Sequence, residues 1–277
     1  MIPAPFEYRR ASSVKEAVTL LGSDEDAKAI AGGHSLLPLM RLRLARPSVL
    51  VDIARIDGLS YVRKDGKEVA IGALTRHHDV ASDPVLAKEC PIVAWTAGQI
   101  GDPQVRHVGT IGGSVAHADP ASDLPTVLLA LGATFVIQGP KKERRVAAAD
   151  FFQGLFTADL AADELLTEVR VPVTAGQGWS YQKFRRRAQV WAIVGVAALT
   201  GNGSGPAVAL TSMGDRPLRA AGVEQALAGG ADARAASEHA AAGTTPPSDA
   251  FASAEYRRDV ARVIVRRALE EAAGRRR

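Results

Sequence analysis

The chain has 277 residues, 47% of them hydrophobic and 23% charged, with 26 Gly, 15 Pro and a net charge of +4. That length and apolar share suit one large folded domain or two ordinary ones, and exclude a disordered, collagenous or coiled-coil chain. The lone cysteine, Cys90, excludes an intrachain disulfide, a multi-thiolate zinc site and an iron–sulfur cluster held by this chain, which would need about four cysteines.

Ser12 and Ser13 precede an amphipathic run ending at residue 21, and Glu16 follows Ser13 by three, which predicts a capped helix. Residues 27–31 form a short apolar strand stopped by Gly32 and Gly33, and SLLPLMRLRLARP then predicts a helix interrupted at Pro38. Residues 49–53 and 69–73 read as strands bracketing a hairpin that turns at 64–67. Asp83-Pro84 opens one or two helices running through Ile100. A second glycine loop at 109–114 leads into the polar run 117–123 and a short buried helix at 126–131. Strands at 134–138 and 165–172 close a first α+β unit. From Trp179 onward, longer strand runs, alanine-rich helices and a last helix over about 253–273 predict a second, smaller domain, with 229–248 loosely ordered. Basic clusters at 141–145, 185–187 and 275–277 read as solvated turns and a helix end rather than a nucleic-acid surface. The opening MIPAPFEYRR lacks a secretory pattern and no run approaches the roughly 18 to 20 apolar residues of a membrane span, so a cytoplasmic protein is expected.

Chemistry concentrates in the two glycine loops, 31–35 and 110–114. Glycine permits positive φ and lets a ligand come within hydrogen-bond distance of successive N–H groups. Loops that converge would suit a diphosphate, and a dinucleotide better than a metal-bound triphosphate. Neither loop carries the Rossmann G-x-G-x-x-G or the G-x-x-x-x-G-K-[ST] pattern. His34, His77, His78, His107 and His117 lie in or near these segments, but adjacent histidines on a strand face opposite ways and no acidic partner recurs, so no metal site is expected. Asp119 and Asp123 fit turn formation better than acid–base work, and no catalytic residue is expected.

AGGHSLLPLM at 31–40 with TIGGSVAHADPASDLP at 110–125 resembles the FAD-binding medium subunits of the molybdenum hydroxylases (the xanthine dehydrogenase family), most of all their carbon monoxide dehydrogenase members. The likeness extends to DELLTEVRVP, SYQKFRRR and EYRRDVARVIVRRAL, and so spans nearly the whole chain. It implies an α+β, PCMH-type (vanillyl-alcohol-oxidase-like) FAD-binding domain over 1–174, in lobes of about 1–56 and 57–174. A carbon monoxide dehydrogenase flavoprotein C-terminal domain, a three-stranded antiparallel sheet with helices, would fill 175–277. By the same resemblance, the backbone of Ala29, Ile30, Ala31, Gly32, Gly33, His34, Ser35 and Leu36 wraps the FAD diphosphate, and Gly109, Thr110, Gly112, Gly113 and Ser114 form the opposing wall. Ser122 and Asp123 would meet the ribityl and phosphate region, Leu165 and Leu166 the rings, Lys183 the isoalloxazine, and Ile100 would be an apolar wall. The family commonly shields a flavin face with an aromatic residue after the arginine cluster; Trp191 takes that place here in the absence of a tyrosine. His34 is the candidate for a covalent flavin link, although noncovalent FAD is the expectation.

The resemblance further implies an oxidoreductase subunit that passes electrons from a small [2Fe–2S] subunit to quinone, NAD or oxygen. The molybdenum cofactor and the clusters would sit on partner subunits only, in a dimer of heterotrimers, with a peripheral contact to a membrane quinone system and no nucleic acid. A purine, nicotine-like heterocycle or aromatic acyl-CoA hydroxylase, a stand-alone FAD oxidoreductase, and a non-enzymatic basic module are the competing readings.

Overall fold

The structure is a computed structural model that describes residues 2–201 and 205–275. The first lobe carries β1 (Glu7–Arg10), α1 (Val14–Leu21), β2 (Lys28–Ile30), α2 (Leu36–Arg41) and β3 (Val49–Asp52), with β3 central in an all-parallel sheet. Ser13 caps α1, its Oγ accepting from Glu16 N at 3.2 Å, while Glu16 reaches back to Ser12 N at 2.8 Å rather than to Ser13. Pro38 does not interrupt α2, because it lies in the first turn, where an α-helix leaves N–H groups unbonded anyway. The helix ends instead where Arg43 takes φ 59°.

The second lobe begins with the hairpin β4 (Val62–Asp65) and β5 (Glu68–Gly72), turning through Gly66 at φ 61°. Short helices follow: α3 (His77–Ser82), α4 (Pro84–Glu89), α5 (Pro91–Ala97), α6 (Pro103–Arg106), α7 (Ile111–His117) and α8 (Asp123–Leu131). Asp83 and Asp102 each cap a helix that starts with Pro at its first position. Then come β6 (Thr134–Gln138), β7 (Glu143–Ala147), α9 (Ala148–Phe151), the small hairpin β8 (Phe152–Gly154) and β9 (Thr157–Ala158), and β10 (Leu165–Pro172). The lobe's sheet runs β4-β5-β10-β6-β7, antiparallel throughout, and α8 is buried along its whole length. The basic cluster at 141–145 is partly edge strand β7, where Arg144 pairs with Asp159 at 2.8 Å and Glu164 at 2.7 Å.

The C-terminal part holds β11 (Gly178–Phe184), β12 (Val194–Thr200), β13 (Ala207–Thr211), β14 (Leu218–Arg219), α10 (Ala221–Ala228), α11 (Ala233–Ser237) and α12 (Ala254–Gly274). Three long antiparallel strands match the expected sheet; the two-residue β14 adds a fourth at the edge. Ile264, Val265, Ala268 and Leu269 of α12 pack on Val194, Val196 and Ala198 of β12. Gly178 lets the end of α12 lie directly on β11, since a Cβ there would come 2.1 Å from Ala272 O. The segment 229–248 is ordered, contrary to its composition: Asp232 caps α11, Ala236 and Ala240 are fully buried, and Thr245 N donates to Met213 O at 3.0 Å. Of the basic tail, Arg275 stacks on Trp179, and Arg276 and Arg277 lie outside the described residues. A single apolar core joins Val69, Ile71, Val169 and Phe135 of the second lobe to Tyr181, Ala197, Leu199 and Ala209 of β11–β13.

Candidate functional site

The two glycine loops meet. Gly32 lies against the second loop so closely that a Cβ on it would sit 2.3 Å from Val108 O and 3.0 Å from Gly109 Cα. Gly112 presses α7 onto the chain leaving β5, where an added Cβ would come 2.5 Å from Ala73 Cβ. Between the loops opens a cleft of about 760 Å³, a size typical of small-molecule and cofactor sites. Its walls include every residue that the resemblance assigns to the flavin: the stretch from Ala29 to Leu36, then Ile100, Gly109, Thr110, Gly112, Gly113, Ser114, Ser122, Asp123, Leu165, Leu166 and Lys183. Trp191, 55% exposed, joins them on the loop between β11 and β12, beside Gln189 and Val190.

The loops differ in what they offer a ligand. Gly32, Gly33, His34, Ser35 and Leu36 donate no backbone N–H bond among the described residues; the first amide returned to the chain is Leu37 N to Gly33 O, 2.9 Å. Gly33 has φ +71°, the left-handed turn that lets successive amides point one way. In the second loop the amides are mostly spent: Gly109 N on Val105 O, Ile111 N on Thr75 O, Gly112 N on Ala73 O, and Gly113 N on Thr110 Oγ1. That side is a wall built on backbone pairing with the segment after β5, and its free polar groups are side-chain hydroxyls rather than a second row of amides.

At the far end stands a buried ion pair. Lys183 Nζ lies 2.7 Å from Asp123 Oδ2, with side chains 5% and 3% exposed, and Tyr181 Oη donates to Asp123 Oδ1 at 2.5 Å. Burial pushes the Asp123 carboxyl up, against the pull of Lys183 and Tyr181, and raises the Tyr181 hydroxyl well above its ordinary value. Asp123 therefore ties α8 to β11 as well as lining the cleft, a role its place in the polar run did not suggest. Asp119 does form the expected turn, its Oδ1 accepting from Ala121 N at 2.8 Å.

The histidines take different places in the fold. His77 and His78 open helix α3 rather than a strand; His77 is buried, while His78 stacks on His107 at 4.0 Å. His34 is exposed on the cleft rim, and His117 faces Phe156 at 5.1 Å. No group of three metal-ligating side chains gathers among the described residues. Sequence reasoning missed His77, Phe156 and Leu160 as wall residues. Phe156 sits at φ 52° in the β8–β9 turn, a left-handed conformation uncommon for an aromatic residue, and nothing local in the sequence marks that.

Residues 4–174 match the family described as FAD binding domain in molybdopterin dehydrogenase, and residues 179–272 match the CO dehydrogenase flavoprotein C-terminal domain. The chain is 43% identical to the carbon monoxide dehydrogenase medium chain of Hydrogenophaga pseudoflava, covering 98% of each. It is 39% identical to the glyceraldehyde dehydrogenase medium chain of Sulfolobus acidocaldarius, covering 99% of this chain and all of the relative. A solved structure of carbon monoxide dehydrogenase from H. pseudoflava superposes over the full length of both chains with a TM-score of 0.96 at 42% identity. The chain therefore belongs to the FAD-binding medium subunits of the molybdenum hydroxylases, oxidoreductase components similar to that of carbon monoxide dehydrogenase.

Proposed function

We propose that this chain receives electrons from a [2Fe–2S] partner subunit and passes them to an external acceptor, within a cytoplasmic molybdenum hydroxylase that oxidises carbon monoxide. The observation that carries the cofactor's placement is the row of unpaired amides from Gly32 to Leu36 facing a cleft closed on its other side by the second glycine loop. Those amides would hold the FAD diphosphate, with Ala29, Ile30 and Ala31 leading the chain into the turn. Thr110 and Ser114 offer hydroxyls from the opposite wall, where Gly109, Gly112 and Gly113 keep the backbone close. Ser122 and the Asp123–Lys183 pair would orient the ribityl chain and the ring edge, Ile100, Leu165 and Leu166 would exclude water, and Trp191 would cover a flavin face. Bound FAD supplies one- and two-electron redox chemistry on its ring, which the surrounding hydrogen bonds and charges tune.

A chain with one cysteine, fully buried, is suited to leave cluster ligation to a partner. The molybdenum cofactor likewise belongs on a large subunit, in a dimer of heterotrimers, with quinone, NAD or oxygen as acceptor. Carbon monoxide rests on the 43% identity to a protein of that name; the glyceraldehyde-named relative at 39% keeps other substrates in view. Co-expression with the neighbouring genes should give a complex whose flavin is reduced through the iron–sulfur subunit when carbon monoxide is added. Acid precipitation should release the yellow colour, marking noncovalent FAD; colour kept in the pellet points to His34. A flavin reduced equally fast without the iron–sulfur subunit overturns the electron path.

A further inference from the structure

His77 has a feature its surroundings do not explain. The ring is 3% exposed, its Nε2 lies 3.2 Å from Ser114 Oγ, and its Nδ1 is buried with no hydrogen-bond partner among the described residues. The ring is fixed in place: His77 N donates to Gly109 O at 2.9 Å, and a Cβ on Gly109 would come 3.0 Å from Cδ2. Both His77 and Ser114 line the cleft.

The orphan Nδ1 decides the tautomer. A proton there would be a buried donor with no acceptor, costlier than a buried lone pair with no donor. The proton therefore sits on Nε2, which donates to Ser114 Oγ. A hydroxyl that accepts from a neighbour keeps its own hydrogen free to donate elsewhere. In the other tautomer the serine would spend that hydrogen on the ring and present only lone pairs to the cleft. Burial, with Arg106 and His34 adding repulsion, depresses the imidazole to about 4, so the ring is neutral at ordinary pH.

We infer that His77 is a positioning residue, which by donating from Nε2 turns Ser114 into a hydrogen-bond donor toward the anionic diphosphate of the nucleotide in this cleft. This rests on the FAD placement proposed above and assigns the polar part of the second wall. With that loop's amides mostly spent, Ser114 is the group there best placed to answer the free amides of Gly32–Leu36. Without the imidazole, the serine is free to donate back to the Thr110 carbonyl four residues earlier, the ordinary habit of a helical serine.

The test uses the flavin-free full-length chain. Its histidine 15N spectrum should show His77 protonated on Nε2; protonation on Nδ1 overturns the inference whatever the flavin does. In FAD titrations followed by fluorescence, Ser114→Ala should weaken binding roughly ten-fold, as for a lost bond to a charged group, and Ser114→Thr should restore it. His77→Leu should weaken FAD binding similarly, His77→Gln, which keeps a donor, should lose less, and His77→Leu combined with Ser114→Ala should be no worse than Ser114→Ala alone. If His77→Leu does not fold, the spectrum and the Ser114 pair decide. Unchanged FAD affinity in Ser114→Ala overturns this inference alone, whereas a wild-type chain that binds no FAD, by itself or with its partner subunits, overturns the FAD placement with it.

Discussion

Gly32→Ala tests the convergence of the loops directly. The new methyl would stand 2.3 Å from Val108 O and 2.8 Å from Val108 C, both backbone atoms that no rotamer change can remove. Ordinary contact begins near 3.5 Å, so the loops must part by about 1 Å. A shift of that size stretches a hydrogen bond of about 2.9 Å beyond 3.5 Å, where it no longer counts as one. Overpacking of this kind costs about 1–3 kcal/mol of stability. Misplacing even two amides that each bond an anionic oxygen costs about 1.5–3 kcal/mol apiece, which is a hundred-fold or more in affinity. The variant should therefore melt a few degrees lower and bind FAD at least a hundred-fold more weakly, read by thermal denaturation and by flavin titration. Gly58→Ala serves as control for the loss of a glycine, since it has open space around it and lies outside the cleft walls, and its φ of +78° adds a backbone strain that Gly32 does not carry. A Gly32→Ala chain that binds FAD as tightly as the wild type would refute the claim that the loops' contact sets the site.

Lys183→Met should cost about 3 kcal/mol in urea unfolding by leaving the Asp123 carboxylate buried without its cation, and the double variant with Asp123→Asn should recover much of that loss. His77 sets a pH dependence whose sign is fixed. Its folded value of about 4 lies below the ordinary 6.5, so the stability of the neutral ring is complete above about pH 6.5 and is lost as pH falls toward 4. The gap amounts to roughly 3 kcal/mol, measured as the difference between wild type and His77→Gln in unfolding free energy across that window. Cys90, fully buried with its thiol pushed up to about 12, should react with a thiol reagent only at the rate of unfolding; fast labelling of the native chain would contradict its placement.

Much of this fold is written in short-range signals. The Ser13 cap, the Asp83-Pro84 helix start, the Gly66 turn and the strand 165–172 each depend on residues within a few positions of one another, and each stands where the sequence puts it. The glycine pairs are legible for the same reason, since Gly32, Gly33 and Gly112 announce close approach. What they approach is not legible: the carbonyls of Ala73 and Thr75 that consume the second loop's amides lie more than thirty residues upstream. The Tyr181–Asp123–Lys183 group spans about sixty residues and the His77–Ser114 pair 37, and no local period encodes either. Strand β1 gave no apolar pattern because all four of its residues are exposed, so neither of its faces packs on a core. Segment 229–248 looked weak because alanine and glycine carry little hydrophobic weight each, yet small residues are what lets α11 and its neighbours lie close to α12.

The family boundary near residue 175 passes through continuous packing. Phe135 and Val169 on one side share a core with Tyr181, Leu199 and Ala209 on the other, and Asp123 is paired with a lysine from beyond the boundary. The segments that match two family descriptions should therefore melt as one unit, in a single calorimetric transition. Cutting the chain between them would strip apolar faces from both pieces and strand a buried carboxylate in the first, and the cleft, which takes wall residues from both sides of the cut, would be whole in neither piece.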